Sequence, residues 1–171
     1  MKNNIVLIGM PSSGKSTVGE PLSKELNMKF IDTDKIIFDR EKRPLRDIVN
    51  SDGLKTFLEI QEKTIMDICV SNTVISTGGS VVYNSGAMEY LKDDGLVIFL
   101  KSDFEEIEKR VTKDRRFARN EDQTLIDLYN ERMPLYEKYA DITIYSTGKS
   151  VETLVDEIKK ASIGKICVLE N

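Results

Sequence analysis

The sequence contains no histidine and no tryptophan, and only two cysteines occur among its 171 residues. The absence of histidine excludes Ser-His-Asp and Cys-His catalysis and the HExxH zinc motif. Any general base must therefore be a carboxylate, a lysine, a tyrosine or a thiolate, and any metal site is expected to be lined by oxygen. Cys69 and Cys167 form neither a CxxC pair nor a disulfide framework, which favours a reducing cytoplasm.

Long apolar runs are also absent. No segment approaches the roughly 18 apolar residues that a membrane span needs, and the four apolar residues before Gly9 are too few for a signal-peptide core. The formal net charge of −4 argues against broad nucleic-acid binding, although a local basic patch stays open. We expect one cytoplasmic domain over residues 1–171, a monomer with neither membrane nor nucleic acid as a partner.

Short apolar runs alternate with amphipathic segments along the chain. The runs predict five strands, at residues 5–8, 28–31, 73–76, 96–100 and 142–145. Apolar residues at helical spacing predict helices between them, at 15–26, 45–49, 57–69, 104–111, 125–128 and 151–158. This alternation is typical of a parallel sheet covered on both faces. We therefore predict a three-layer α/β/α fold around a five-stranded parallel sheet.

One motif carries most of the chemical information. Residues 9–16 read GMPSSGKS and match GxxxxGK[ST] without a gap, between the first strand and the first helix. Backbone N–H groups and the positive helix end of such a P-loop surround a phosphate. Lys15 is expected to reach the β- and γ-phosphates of a nucleotide, and the Ser16 hydroxyl to bind Mg²⁺. The other candidate nucleotide-binding residues are Gly9, Ser12, Ser13, Gly14 and Thr17. A plain glycine-rich turn would leave the preceding strand and following helix unexplained.

The class of nucleotide-binding protein follows from size and from a missing element. A GTPase should offer an Asn/Thr-Lys-x-Asp element, and the closest stretch, Thr112-Lys-Asp-Arg115, lacks the final aspartate. Motor and transporter ATPases are usually larger. A small chain with an N-terminal P-loop indicates a kinase that acts on a small molecule. Such an enzyme needs a magnesium carboxylate, a base beside the acceptor hydroxyl and movable arginines.

Candidates for these roles follow the second and third strands. Asp32 and Asp34 should face the P-loop, because ligands of parallel sheets bind outside the carboxyl ends of the strands. Asp32 could hold Mg²⁺ through water and Asp34 could accept the hydroxyl proton; alternatively, both cap the following helix. Gly78 and Gly79 could let bare backbone approach a substrate, or could form a tight turn.

Residues 112–121 are strongly charged and lack periodicity. They are interpreted either as a solvated loop or as a basic, mobile lid that closes over an anionic ligand. Arg115, Arg116 and Arg119 could close over the phosphates. Arg132, further along the chain, could bind an anionic substrate.

Taken together, these residues resemble the shikimate kinases, small P-loop proteins with a nucleoside-monophosphate-kinase-like fold. The resemblance spans about residues 4–160 and rests on GMPSSGKST at 9–17, IDTD at 31–34, STGGS at 76–80, VIFL at 97–100 and ERMPLYEKYADI at 131–142. It implies an ATP-dependent kinase that phosphorylates the 3-hydroxyl of shikimate, in aromatic amino acid biosynthesis. It also implies a substrate-binding helical region at about 35–62 and a lid at about 112–121.

The resemblance assigns roles to individual residues. On the nucleotide side it implies Lys15 and Ser16 at ATP·Mg²⁺, Asp32 in the magnesium shell, Arg110 packed on adenine and Arg116 as the catalytic arginine of the lid. On the acceptor side it implies four residues that contact the substrate. These are Asp34 at the reacting hydroxyl, as candidate base, the glycines Gly78 and Gly79, and Arg132 at the carboxylate.

The chain departs from the family pattern at the acceptor site. In the family, Phe57 is normally followed by an arginine that contacts the substrate carboxylate, and a glutamate three residues later supports that arginine. In this chain Leu58 replaces the arginine and Gln61 replaces the glutamate. Losing a hydrogen bond to a charged group costs about 1.5–3 kcal/mol, roughly ten- to a hundred-fold in affinity. The two changes remove one charge of each sign, which suggests the coordinated loss of an ion pair. Ser80 replaces a third glycine, and Phe117 replaces a proline in the lid.

Three functions follow from these observations. Shikimate kinase fits the motifs best. A related P-loop kinase whose acceptor is another polyol, a sugar acid or a nucleotide would account for Leu58 and Gln61. A non-catalytic nucleotide-binding module is the third, but binding alone does not require a base placed like Asp34.

Overall fold

Five parallel strands form the centre of the molecule. The computed structural model describes residues 1–111, 118–119 and 122–167. Its strands are β1 (Asn4–Ile8), β2 (Lys29–Asp32), β3 (Thr73–Ser76), β4 (Gly95–Lys101) and β5 (Ile142–Tyr145). They lie in the order β2-β3-β1-β4-β5, and each neighbouring pair is parallel. The five predicted strands are confirmed, each within one residue at either end.

Helices connect the strands within the described part of the chain. They are α1 (Lys15–Glu25), α2 (Thr33–Glu41), α3 (Leu45–Met66), α4 (Ser85–Asp94), α5 (Phe104–Arg110), α6 (Leu125–Tyr139) and α7 (Val151–Ser162). A short 3-10 helix, Gly79–Tyr83, follows β3. None of these described helices combines the length and the apolar character that crossing a membrane requires.

The central strand β1 divides the core into two layers. Successive side chains of a strand point to opposite faces of the sheet. Ile5 and Leu7 pack with residues of α1 and α7, whereas Val6 and Ile8 pack with residues of α3, α4 and α6. All four side chains are fully buried. A strand covered on both faces has to be apolar at every position, and the three-layer α/β/α prediction is confirmed.

The helical prediction is confirmed in α3 and incomplete elsewhere. The two helices predicted at 45–49 and 57–69 correspond to the two parts of α3, which meet at Gly53, a residue with non-helical φ and ψ; the second part ends at Met66. Helix α2 was predicted only as the helix that Asp32 and Asp34 could cap, without bounds of its own, and α4 was not predicted.

Helix α4 begins at an N-cap, where the side chain of Asn84 accepts a hydrogen bond from the Ala87 N–H (3.0 Å). It has only three buried residues, Ala87, Met88 and Leu91, which is a short pattern to detect in a sequence.

Helices α2 and α3 pack on each other through a separate apolar cluster. We call it the α2–α3 cluster; its buried members are Ile37, Ile48 and Phe57. Leu58 is one of the partly buried side chains that pack against this cluster. The region predicted to be helical at 35–62 therefore has its own small core beside the carboxyl end of the sheet.

The C-terminal segment pairs with the start of β1. The Lys2 N–H donates to the Lys165 carbonyl (2.9 Å), and the Cys167 N–H donates to the Lys2 carbonyl (2.8 Å). Between these bonds Ile166 is buried in the layer that contains α1 and α7. The segment thus lies at the opposite end of β1 from the P-loop.

We expect Gly53→Ala to destabilise the protein through backbone strain alone. Gly53 has φ 85° and ψ 163°, and no atom lies within 4 Å of an added Cβ. Residues other than glycine rarely adopt this backbone conformation, which costs them about 1–3 kcal/mol. Urea unfolding should show this loss.

Gly86→Ala is the matched control. Gly86 lies within α4, and an added Cβ would meet the flexible Glu62 carboxylate. Alanine in a helix gains up to about 1 kcal/mol over glycine. Equal stability changes in the two variants would contradict the strain at Gly53.

Candidate active site

A cavity of about 470 Å³ opens at the carboxyl ends of β1, β2 and β3. The P-loop after β1 forms one side, the start of α2 forms another, and residues 77–80 after β3 form its floor. Parallel α/β sheets bind ligands at this edge. The sheet order therefore brings together candidate residues that are far apart in sequence.

Two glycines give the P-loop its shape. An added Cβ at Gly9, where φ is +149°, would lie 2.7 Å from the Leu100 carbonyl oxygen, so the loop can approach β4 only without a side chain. Gly14 adopts a left-handed conformation (φ 92°) as the N-cap of α1. The first turn of α1 consequently begins at the cavity, where Ser12, Gly14 and Thr17 are lining residues. Ser13, within the loop, is buried.

Lys15 turns back into the loop. Its side chain is 7% exposed, and its Nζ donates to the carbonyl oxygens of Gly9 (2.8 Å) and Met10 (2.7 Å). The residue also lines the cavity. The ammonium of Lys15 thus lies at the end of the cavity that the P-loop forms.

Ser16 and Asp32 are in direct contact. The Ser16 hydroxyl donates to Asp32 Oδ2 at 2.5 Å and lies 2.9 Å from the Ser76 hydroxyl. The other carboxylate oxygen of Asp32 accepts from the N–H groups of Asp34 (2.9 Å) and Lys35 (3.3 Å) and caps α2. The two interpretations of Asp32, helix cap and metal carboxylate, are therefore compatible.

This group of oxygens fits a magnesium site. Mg²⁺ prefers oxygen ligands, keeps several waters and takes one or two protein carboxylates together with phosphate oxygens. The described residues contain no group of three or more His, Cys, Asp or Glu side chains able to hold a metal. A cation between Ser16 and Asp32 would accordingly draw its other ligands from water and phosphate.

Asp34 and Gly78 meet at the acceptor end of the cavity. An added Cβ at Gly78 would lie 2.4 Å from Asp34 Oδ1 and 2.8 Å from Gln61 Nε2. The Gly78 N–H donates to the Thr33 hydroxyl (3.3 Å), which holds this backbone against α2. Glycine at 78 is thus required for close packing, and the tight-turn interpretation alone does not account for it.

Arg132 is a buried cation beside Gly79. Its side chain is 1% exposed, yet it lines the cavity. Its Nε donates to the Tyr83 hydroxyl (3.2 Å), its Nη2 donates to the Ala118 carbonyl (2.5 Å), and its guanidinium lies 5.0 Å from the centre of the Tyr83 ring. Among residues 1–111, 118–119 and 122–167 it forms no ion pair. A buried charge of this kind favours an anionic ligand.

Two tyrosines hold this end of the cavity in place. The Tyr83 hydroxyl donates to Glu131 while accepting from Arg132. Burial, and then the bond to Glu131, raise the pKa of Tyr83, so its hydroxyl stays protonated at neutral pH. The Tyr136 hydroxyl donates to the Gly79 carbonyl at 2.6 Å, and its ring stacks on Phe99.

Several residues at or beside this cavity were not predicted. Tyr136 does not line the cavity but supports it through its bond to the Gly79 carbonyl; it lies one helical turn after Arg132 within a quoted motif, and this spacing was the available signal. Lys35 and Arg46, in the first turns of α2 and α3, line the cavity. Their recognition required knowledge of how α2 and α3 pack. Leu58 is not a lining residue; it packs against the α2–α3 cluster, whereas its neighbour Phe57 belongs to that cluster and also lines the cavity.

Two arginines, Arg110 and Arg116, are predicted at the nucleotide. Arg110 lies beside the P-loop: its Nη1 donates to the Ser12 carbonyl at 3.4 Å, and its Nη2 to Glu106 at 2.5 Å. Its contact with adenine stays a prediction. Arg115, Arg116 and Phe117 lie outside the described residues, as does most of the predicted lid. Of the lid, Ala118 lines the cavity.

The alkaline stability of the protein should depend on Tyr136. Burial raises the pKa of this tyrosine from 10.0 to about 12. The unfolded state therefore loses its proton first, and stability falls as the pH rises through this interval. We expect the parent to lose about 2 kcal/mol more than Tyr136→Phe between about pH 9 and pH 11.5.

Urea unfolding of both proteins across this range would measure the difference. At neutral pH the variant should be about 1 kcal/mol less stable, because it lacks the bond to Gly79. An equal loss of unfolding free energy with rising pH in the parent and in Tyr136→Phe would contradict the raised pKa of Tyr136.

Known proteins share both the sequence and the fold. A family model described as shikimate kinase matches residues 11–162. A protein from Clostridium botulinum (strain Eklund 17B / Type B), named shikimate kinase, is 40% identical over 165 residues, which cover 95% of this chain and 99% of that protein.

Two solved structures are similar. The shikimate kinase of Acinetobacter baumannii in complex with shikimate has a TM-score of 0.87 and 26% identity, covering 96% of this chain and 95% of the other. That of Aquifex aeolicus vf5 has a TM-score of 0.82 and 32% identity, with coverages of 95% and 97%. Because the family model and these relatives extend over most of its length, the chain belongs to the shikimate kinase family.

Proposed function

We propose that this protein transfers the γ-phosphoryl group of ATP to the 3-hydroxyl of shikimate, within aromatic amino acid biosynthesis. The observation that carries the proposal is the buried guanidinium of Arg132, which lines the same cavity as Asp34. A carboxylate of the acceptor would give Arg132 a counter-charge, and the acceptor hydroxyl would then lie near Asp34. Lys15 and the P-loop at the other end of the cavity suit the polyphosphate of ATP.

The proposed reaction is an in-line displacement at phosphorus. The acceptor oxygen forms a bond to the γ-phosphorus while the bond from that atom to the β,γ-bridging oxygen breaks, and ADP leaves. Asp34 takes the hydroxyl proton. The ammonium of Lys15 offsets the charge that develops on the phosphoryl oxygens, as positioned cations do in phosphoryl transfer. The lid and Arg116 stay part of the proposal as further cations.

Ser16 and Asp32 would hold Mg²⁺ in this proposal. The ion supplies charge neutralisation at the phosphates when it is bound. The hydrogen bond of Ser16 to Asp32 Oδ2 keeps two oxygen ligands together, and the cap on α2 fixes the carboxylate plane. We further propose a cytoplasmic monomer; its two cysteines form no disulfide.

Lys35 and Arg46 offer a replacement for the positive charge that is missing at position 58, where Leu58 stands in place of the family's arginine. Both line the cavity. Arg46 contacts the neighbouring carboxylate of Asp47 at 3.4 Å, a pair so exposed that it contributes little. Its guanidinium can therefore turn toward an anion in the cavity at small cost. In addition to Arg132, the first turns of α2 and α3 thus contribute positive charge to the acceptor end.

An ADP-release assay with ATP, Mg²⁺ and increasing shikimate, against a blank without acceptor, tests the function. We expect saturable turnover in the parent and a loss of about 10²–10⁴-fold in kcat for Asp34→Asn. Asp39→Asn is the matched control, since Asp39 is an exposed residue of the same helix that does not line the cavity. Full turnover by Asp34→Asn would exclude this residue as the base.

A different acceptor is the second candidate function, and the uncharged Leu58 is the observation that favours it. In that case the parent binds ATP but shows no turnover with shikimate, and a panel of polyols, sugar acids and nucleotides identifies the acceptor. ATP binding without turnover on any of these would instead indicate a non-catalytic nucleotide-binding module.

Removing the cations at the cavity mouth should weaken acceptor binding. We expect Arg46→Ala and Lys35→Ala to raise the KM for shikimate about ten-fold each with kcat unchanged, because a contact made equally in ground and transition states affects KM alone. Arg40→Ala is the control: Arg40 lies on α2, pairs with Asp67 at the surface and does not line the cavity. An unchanged KM in both variants would rule out this role.

A further inference from the structure

The hydroxyl of Tyr83 lies between a buried cation and an exposed carboxylate. It accepts a hydrogen bond from Arg132 Nε at 3.2 Å and donates its own hydrogen to Glu131 Oε1. Glu131 is also held by Gln123, whose Nε2 donates to Glu131 Oε2 at 2.9 Å. These four side chains therefore form one continuous chain of hydrogen bonds, which ends at a guanidinium that lines the cavity.

Glu131 sets the direction of the hydrogen bonds in this chain. A carboxylate can only accept hydrogen bonds, and a tyrosine hydroxyl has a single hydrogen to donate. Because Tyr83 gives this hydrogen to Glu131, its oxygen faces Arg132 Nε as an acceptor. Glu131 is exposed, and solvent weakens its long-range attraction to the guanidinium. Its direct hydrogen bond to Tyr83 is consequently the larger of its two effects on Arg132.

The bonds of Arg132 leave a defined nitrogen on the side of the cavity floor. Tyr83 holds Nε, and the Ala118 carbonyl holds Nη2 at 2.5 Å. Nη1 lies 3.0 Å from the Cβ position of Gly79, which is one of the lining residues. A guanidinium is planar and rigid, so two bonds at Nε and Nη2 also fix the direction in which Nη1 points.

An indirect contact with a carboxylate suits a cation that has to bind an acid. A glutamate paired directly with Arg132 would compete with the carboxylate of the acceptor for the same N–H donors. The hydroxyl of Tyr83 separates the two charges, while the hydrogen bonds polarise one another and still stabilise the buried guanidinium. The arrangement thus fixes Arg132 without neutralising the charge that the acceptor needs.

We propose that Tyr83, anchored by Glu131, is a positioning residue that holds Arg132 with Nη1 toward the cavity floor and thereby determines the affinity for acceptors that carry a carboxylate. This inference rests on the proposed function and concerns how the same site recognises an acid. Tyr83 does not line the cavity, so it acts through Arg132 and not by touching the acceptor.

The first test observes Arg132 directly and requires no acceptor. The ¹⁵N–¹H NMR signal of its Nε–H group is assigned with Arg132→Lys, and the exchange of this hydrogen with water is measured. We expect Tyr83→Phe to speed the exchange about ten-fold, because it removes a hydrogen bond to a charged group. Glu131→Ala should speed it by less, since the hydroxyl remains but loses its fixed direction. Unchanged exchange in both variants would overturn the inference, whatever the acceptor is.

Two substitutions on α6 are the matched controls. Tyr129→Phe also removes a tyrosine hydroxyl, one that donates to the Ser102 carbonyl at 2.9 Å. Glu137→Ala also removes an exposed carboxylate, one that pairs with Lys101 at 2.7 Å. Neither residue lines the cavity, and we expect exchange like that of the parent in both. Equal acceleration by the controls and the test variants would contradict a specific positioning role.

The second test determines whether the effect follows the carboxylate of the acceptor. With shikimate turnover established in the parent, Tyr83→Phe should raise the KM for shikimate about ten-fold and leave kcat and the KM for ATP unchanged. The methyl ester of shikimate has no negative charge, so Tyr83→Phe should leave its dissociation constant, measured by calorimetry, unchanged. An equal loss of affinity for the acid and for the ester would contradict the inference.

The two tests separate this inference from the proposed function. No turnover in the parent contradicts the proposed function and leaves the exchange of the Arg132 Nε–H decisive for Tyr83. A parent that turns over, together with a Tyr83→Phe variant of unchanged KM for shikimate, contradicts the inference alone.

Thermal unfolding and ATP binding establish that each variant is folded. Should Tyr83→Phe fail to fold, Glu131→Ala replaces it, because Glu131 is exposed and its removal leaves the apolar core intact. We expect this variant to speed the exchange of the Arg132 Nε–H and to raise the KM for shikimate, with the KM for ATP unchanged. Parent-like exchange in folded Glu131→Ala would then overturn the inference.

Discussion

The carboxylate of Asp32 connects the two ends of the cavity, and the remaining geometry depends on it. One oxygen accepts the hydroxyl of Ser16 in the first turn of α1, and the other caps α2. The position of α2 in turn determines where Asp34 lies relative to Gly78. A single side chain thus joins the nucleotide end to the acceptor end, with a bond to a charged group on each side.

The acceptor end of the cavity combines one buried cation, Arg132, with uncharged neighbours. Arg132 is buried with a tyrosine and a carbonyl group as hydrogen-bond partners, and the wall behind Asp34 consists of Gln61 and Ser80, both neutral. The remaining cations, Lys35 and Arg46, lie at the more exposed cavity mouth. Charge is therefore kept where an anionic ligand or water can compensate it, which limits the desolvation cost.

The sheet and the P-loop could be predicted from sequence because their signals are local. A strand buried on both faces is a continuous apolar run, and the P-loop needs glycine where φ is positive. Helix α4 could not be predicted with the same ease, since three buried residues fixed by long-range packing are a weak pattern. The roles of Lys35 and Arg46 depend on how α2 packs on α3, and residue spacing alone contains no such information. For Leu58 the sequence indicated a lost charge, but only the fold shows the side chain packed in the α2–α3 cluster.

The hydrogen bonds of Lys15 make this residue part of the architecture of the P-loop. Its ammonium satisfies the carbonyl oxygens of Gly9 and Met10, which both point into the loop interior. An uncharged side chain at this position would leave the Gly9 carbonyl without this donor and the Met10 carbonyl with only the Ser13 N–H (3.1 Å), and the loop would have to rearrange. A loss of ATP binding in such a variant would consequently report on the conformation of the loop as well as on the missing charge. Lysine serves here as an internal scaffold of the loop.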